Sequence, residues 1–152
     1  MNRIIIFTGK GGVGKSSVAA AHALASSKSS KKTLLVSADA AHNLGDIFQI
    51  DIGSKVKKIS EYLDVLELDS DAIKTEFFPK VKNTMIDLMG KNGLGITNLN
   101  ENFSLPGFEN LFSLLKIKEI YDTNLYENIF IDCAPTGETL ALLKLPELLA
   151  WY

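Results

Sequence analysis

The run Gly9-Lys10-Gly11-Gly12-Val13-Gly14-Lys15-Ser16 constrains this chain more than any other stretch, because of what lies on either side of it. Before it comes Ile4-Ile5-Ile6-Phe7, a continuous β-branched and aromatic run. Without polar alternation, such a run reads as a strand buried on both faces, as in a parallel sheet covered by helices. After it, residues 15–27 are rich in alanine (Ala19, Ala20, Ala21, Ala23, Ala25) with Val18 and Leu24. Alanine favours helix, and its small side chain lets a helix pack closely on a sheet. The expected local structure is therefore strand, glycine loop, helix.

In that setting the loop fits G-x-x-x-x-G-K-[ST], and each residue type has a physical reason to be there. The glycines let the backbone wrap around phosphates with several N–H groups pointing inward. The helix beginning near Lys15 aims its positive dipole end at the same anion. Lys15 is placed to bridge β- and γ-phosphates, and the Ser16 hydroxyl to ligate Mg²⁺. The expected nucleotide-binding set is Gly9, Lys10, Gly11, Gly12, Val13, Gly14, Lys15, Ser16 and Ser17.

The rest of the chain bounds this reading. Its 152 residues suffice for one domain with a core, and 46% apolar against 22% charged residues is ordinary for a soluble globular protein. A net charge of −2 argues against nucleic acid as a partner. The lysines at 28, 31, 32 and at 55, 57, 58 read as solvated surface. With Cys133 as the single cysteine, neither an internal disulfide nor an all-cysteine zinc site can form from these residues. No run approaches the ~20 apolar residues of a membrane helix, and residues 4–7 are too short for a signal-peptide core. A cytoplasmic protein is expected.

Further strands are expected at residues 33–37, 63–68 and 126–131, alternating with helices. That pattern predicts βαβ units and an α/β fold with a mainly parallel sheet. Residues 71–88 are helical in pattern, with Pro79 expected to divide them. Residues 90–106, with Gly90, Asn92, Gly93 and Gly95, form the best candidate for a mobile loop. Helices at 108–121 and 138–151 complete the reading. The segment at about 71–121 is thus a helical and loop insertion in a nucleotide-binding domain.

Lys10 is not part of the minimal motif, and it makes the loop more specific. The form GKGGVGKS resembles the deviant phosphate loop (deviant Walker A) of the P-loop NTPases that include MinD, ParA, nitrogenase iron protein and the arsenical pump-driving ATPase, ArsA. In that class the extra lysine reaches across a dimer interface to the partner's nucleotide. The resemblance therefore implies that Lys10 stabilises charge on the transferred phosphoryl in trans, as an arginine finger does.

Two further segments select a branch of that class. Asp39-Ala40-Ala41-His42-Asn43-Leu44-Gly45-Asp46 resembles the switch I pattern Asp-Pro-Ala-His-x-Leu-x-Asp of the ArsA and tail-anchored-protein-targeting ATPases, with Ala40 in place of proline. There the first aspartate orients or deprotonates the attacking water, a role the resemblance gives to Asp39. The residues alone also allow Asp39 to be a helix N-cap. Asp132, closing an apolar strand, looks like the Walker B carboxylate that holds Mg²⁺, usually through water. The following Ala134-Pro135-Thr136-Gly137-Glu138-Thr139-Leu140 is similar to the family's switch II, with Glu138 where many relatives have histidine. Residues 105–109 and 142–149 also resemble the family. Cys133 reads as a small core residue, and His22 as structural. The Phe77 to Met89 face reads first as core and second as a client surface.

The resemblance implies an ATP- and Mg²⁺-dependent ATPase, an anion-transporting or targeting subunit working as a homodimer when full length, with a membrane-protein or other client. It also implies a chain about twice this length, so the residues given are expected to be an N-terminal, truncated part with the adenine pocket beyond residue 152. Two other readings stay open: a nucleotide-binding module without significant turnover, and a MinD- or ParA-type regulatory ATPase.

Overall fold

The computed structural model describes residues 2–9, 14–39, 41–91 and 108–133. In chain order these form β1 (Arg3–Phe7), α1 (Lys15–Lys28), β2 (Thr33–Ser37), α2 (Leu44–Phe48), β3 (Lys57–Ser60), β4 (Leu63–Glu67), α3 (Ser70–Lys91), α4 (Phe108–Asp122) and β5 (Asn128–Asp132). The five strands make one sheet in the order β1-β5-β2-β4-β3. β1, β5, β2 and β4 run parallel, and β3 pairs antiparallel with β4. The fold is α/β with a mostly parallel sheet between helices, as expected for a P-loop NTPase.

Each buried strand sends alternate side chains to opposite faces. On one face Leu34, Val36, Leu66, Ile129 and Ile131 pack with Ile73, Phe77 and Phe78 of α3 and Phe112, Leu114 and Ile117 of α4. On the other, Leu35, Leu63, Val65 and Phe130 meet Ala19, Ala20 and Ala23 of α1, with Leu44 of α2 and Ile52. The alanines are fully or almost fully buried, which matches the close helix-on-sheet packing their size permits. Phe77, Phe78 and Cys133 are core residues. β1 is only half-buried, although its side chains touch both cores, because it lies at a sheet edge among the described strands.

Several expectations needed correction. β3 was hidden by its own composition: Lys57 and Lys58 are exposed on an edge strand, where charge discourages further pairing. Pro79 does not divide the long helix, since α3 runs unbroken from Ser70 to Lys91. Asp69 caps its start, accepting from the N–H groups of Asp71 and Ala72 at 3.0 and 3.1 Å. Burial of Phe77 and Phe78 beside the proline offsets a local cost of about 3 kcal/mol. Gly90 and Lys91 fall inside α3 rather than opening a loop; residues 92–106 of the predicted loop lie outside the described residues, as does the predicted helix at 138–151. Lys32 keeps a partly solvent-exposed side chain, as expected, and it also lies 3.9 Å from Asp64 and donates to the Glu61 carbonyl.

α3 and α4 are tied by Lys116, whose Nζ lies 3.2 Å from Glu76 and 3.3 Å from Glu119. Burial lowers the Lys116 pKa, but the two carboxylates outweigh it and hold the ammonium above its ordinary value. No described helix is long and apolar enough to cross a membrane.

Candidate functional site

Parallel pairing sets the place of the site. Asp132 is in register with Phe7 on one side and Ser37 on the other, so β1, β5 and β2 end level with one another. The chain leaves β1 for α1 and returns at β2, while β5 fills the gap between them. In open α/β sheets, ligands bind at such a break beyond the carboxyl ends of the strands.

α1 begins at this edge. Gly14 precedes it with φ 78°, a left-handed conformation that L side chains resist, which is the local reason for glycine before Lys15. Its carbonyl accepts from Val18 N–H at 3.0 Å, closing the first helical turn. Among the described residues no side chain caps the helix, and no acidic residue lies in its first turn. The leading N–H groups and the positive helix end are therefore available to an anion.

Four side chains from three separate segments of the chain converge there. The Lys15 ammonium is ion-paired and hydrogen-bonded to Asp132 Oδ1. The Ser16 hydroxyl donates to Asp132 Oδ2 at 2.5 Å. Lys15 Nζ is also 4.0 Å from Asp39 Oδ2. Side-chain exposure is 9% for Lys15, 1% for Asp132 and 24% for Asp39, so only Asp39 is substantially open to water. Removing charges this far from water costs several kcal/mol per ion, which close pairing offsets.

Asp39 Oδ1 accepts from Ala41 N–H at 2.9 Å, a local turn bond, while Oδ2 is the oxygen nearer Lys15. The residue flanking α2 is Asn43, so Asp39 is not that helix's N-cap. Beyond it, His42 Nδ1 lies 3.2 Å from Ser37 Oγ, and Gly45 N–H donates to Glu67 Oε1 at 3.2 Å. Sequence reasoning missed Glu67 and Ser37. The available signal was a polar residue closing each of two mainly apolar strands, and neither has a spacing that announces a partner.

The structure thus brings together Lys15, Ser16, Asp39 and Asp132, with Gly14 and Ser17 at the start of α1 and Gly9 just past β1. Lys10, Gly11, Gly12 and Val13 lie outside the described residues. Asp132 and Ser16 are hard oxygen donors side by side, the chemistry Mg²⁺ takes. Among the described residues no cluster of three His, Cys, Asp or Glu could hold a metal alone. A Mg²⁺ ion held here would complete its shell with water and phosphate oxygens. A separate polar cavity of about 340 Å³ lies at the ends of β2 and β4, lined by His42, Glu67, Asp69 and Asp71 among others.

Known proteins resemble this chain along nearly its whole length. The family described as anion-transporting ATPase matches residues 2–152. A protein of Prosthecochloris vibrioformis named as an arsenical pump-driving ATPase is 43% identical over 149 residues, covering 98% of this chain and 37% of that protein. One of Aquifex aeolicus, similarly named, is 38% identical, covering 93% of this chain and 48% of that protein. The ATPase GET3 of Blastomyces gilchristii is 34% identical, covering 97% of this chain and 44% of that protein. The chain therefore spans less than half the length of these relatives.

Proposed function

The chain belongs to the anion-transporting ATPase family, and from that premise we propose that it binds ATP with Mg²⁺ and hydrolyses it to ADP and phosphate. The observation that carries the reading is the convergence of Lys15, Ser16, Asp39 and Asp132 at the open end of α1. A structural ion pair would explain Lys15 with Asp132. It would not explain a second, more exposed carboxylate on the same lysine, or a helix end left without a cap.

In this reading the backbone of residues 9–17 surrounds the phosphates. Lys15 exchanges Asp132 for the β- and γ-phosphates, and Asp132 and Ser16 would hold Mg²⁺. Mg²⁺, when bound, would supply neutralisation of phosphate charge. Asp39 positions the attacking water and takes up its proton. The water oxygen forms the new bond to γ-phosphorus as the bond to the β–γ bridging oxygen breaks, leaving ADP and phosphate. Lys10 supplies positive charge to the partner's nucleotide across a homodimer.

Residues at about 71–121 are read as a helical and loop insertion on the nucleotide-binding core, a reading supported by α3 and α4 standing between β4 and β5 in the chain. Hydrolysis drives conformational change in the dimer and so acts on a client, either an anion pump or a targeted membrane protein, in the cytoplasm where ATP is supplied. Mg²⁺-dependent phosphate release at micromolar protein tests the core of the reading. Specific activity should rise with protein concentration if the dimer is the active form. Nucleotide binding with no release at any concentration would leave a binding module and overturn hydrolysis.

A further inference from the structure

We propose that Glu67 is a positioning residue that holds α2 against the end of β4 and thereby sets where the Asp39 carboxylate stands relative to Lys15. The catalytic half of this inference rests on the hydrolysis reading above; the structural half does not.

The argument starts from how little α2 can do for itself. It has five residues and no side-chain N-cap. An isolated helix of that length does not persist in water, because the first turn fixes several residues for a single hydrogen bond. Something outside α2 must hold it. Leu44, fully buried, anchors it to the core formed by α1 and the sheet. Apolar contact is non-directional, however, and leaves the helix free to turn about the leucine.

Glu67 supplies the missing direction. It is the last residue of β4, in register with Ser37 at the end of β2. Its Oε1 accepts from Gly45 N–H, one residue beyond Leu44, at 3.2 Å. A carboxylate accepting a backbone N–H makes a stronger bond than a neutral pair. The identity of residue 45 fits this closeness. A Cβ added there would lie 3.0 Å from the Ile50 carbonyl oxygen and 3.6 Å from Glu67 Oε1. Ile50 N–H in turn donates to the Gly45 carbonyl at 3.0 Å. Gly45 is thus held from both sides, by Glu67 at its N–H and by Ile50 at its carbonyl.

From that fixed point the chain runs back to Asp39 in six residues, with His42 Nδ1 against Ser37 Oγ midway. The segment is therefore tied to the ends of two adjacent strands, β2 through Ser37 and β4 through Glu67. In this proposal those ties keep Asp39 Oδ2 at its distance of 4.0 Å from Lys15 Nζ. Near-attack geometry tolerates little error, and a displacement of about 1 Å can cost about 100-fold in rate.

The experiment compares Glu67→Ala, Glu67→Gln and Gly45→Ala by hydrogen exchange at the residue 45 amide and by steady-state ATP turnover. Glu67→Ala should speed exchange of the Gly45 amide about 10-fold or more. It should lower kcat by about 10- to 100-fold while KM for ATP stays within about twofold, since no phosphate contact is removed. Glu67→Gln keeps an acceptor oxygen and should restore most of both. Gly45→Ala disturbs the other hold on the same residue, its Cβ crowding the Ile50 carbonyl oxygen at 3.0 Å, and should reproduce the kcat loss, which guards against a folding defect peculiar to Glu67→Ala. Unchanged exchange in Glu67→Ala overturns the clamp whatever the turnover does. Faster exchange with unchanged kcat overturns the positioning role. A wild-type chain without turnover would sink the hydrolysis reading instead, and the clamp would still be decided by the Gly45 amide.

Discussion

At the N-terminal ends of the parallel strands, Asn128 donates to Ser26 at 2.8 Å, Ser26 meets Thr33 at 2.7 Å, and Tyr126 donates to Asp64 at 2.7 Å. At the C-terminal ends, Lys15, Ser16 and Asp39 gather around or near Asp132. Both ends bury polar groups, yet they differ in what those groups could do next. The first network is mostly neutral, and its hydroxyls and amide find partners within a fixed frame. The second is charged and drawn from three separate segments, and in the proposed reading its pairs are exchanged for a phosphate and a cation. Burial of polarity alone does not mark a functional end; exchangeable charge beside an uncapped helix does.

Removing Lys15 is the largest perturbation of that contrast. Lys15→Ala should reduce phosphate release by about 100- to 1,000-fold, the range for loss of one preorganised donor to developing charge. It should also lower stability in urea unfolding by up to about 3 kcal/mol, because Asp132 is left buried with only the Ser16 hydroxyl. Full activity in this variant would remove the catalytic assignment from the C-terminal edge. Asp39→Asn separates the two effects. Turnover should fall by about 100-fold with ATP affinity retained. Stability should change by under about 0.5 kcal/mol, since Asp39 is partly exposed and 4.0 Å from its cation.

How much of this contrast was legible in the chain follows from how local each signal is. The glycine loop, the alanine-rich face of α1 and the aspartate closing β5 announce themselves within a few residues, because phosphate chemistry and close packing demand those residue types there. β3 gave no such signal: an edge strand made of Lys57, Lys58, Ile59 and Ser60 has little apolar pattern to read. Pro79 gave a misleading one, since local propensity was overridden by the burial of Phe77 and Phe78. Glu67 and Tyr126 were silent for a different reason. Their partners, Gly45 and Asp64, lie 22 and 62 residues away, and only strand pairing brings them near.

Tyr126→Phe tests the other end. Loss of a buried hydrogen bond to a carboxylate should lower stability by about 1–3 kcal/mol while leaving ATP turnover unchanged. The pH dependence sharpens this. Burial, then the hydrogen bond and charge of Asp64, push the Tyr126 hydroxyl well above its ordinary value near 10. The folded chain therefore keeps the proton where the unfolded chain has lost it. The stabilisation is fully present below about pH 10 and falls as pH rises from there toward the folded pKa. Alkaline unfolding of the wild type should show this slope, and Tyr126→Phe should flatten it. A turnover defect in this variant would erase the distinction between the two ends.

Ser26→Ala should produce the smallest change and the cleanest comparison. The serine hydroxyl receives the Asn128 amide and meets the Thr33 hydroxyl, so its loss leaves Asn128 one acceptor short. Thr33 keeps its bond to the Lys31 carbonyl at 2.7 Å, which limits the damage. A net loss of about 1 kcal/mol is expected by urea unfolding. Ser26 and Ser16 lie on the same helix, one near its end and one in its first turn. The same deletion of a hydroxyl at Ser16 should instead remove the Mg²⁺ dependence of phosphate release. If Ser26→Ala altered that dependence too, α1 would be transmitting strain along its length. The two strand ends would then be one coupled device rather than a frame and a site.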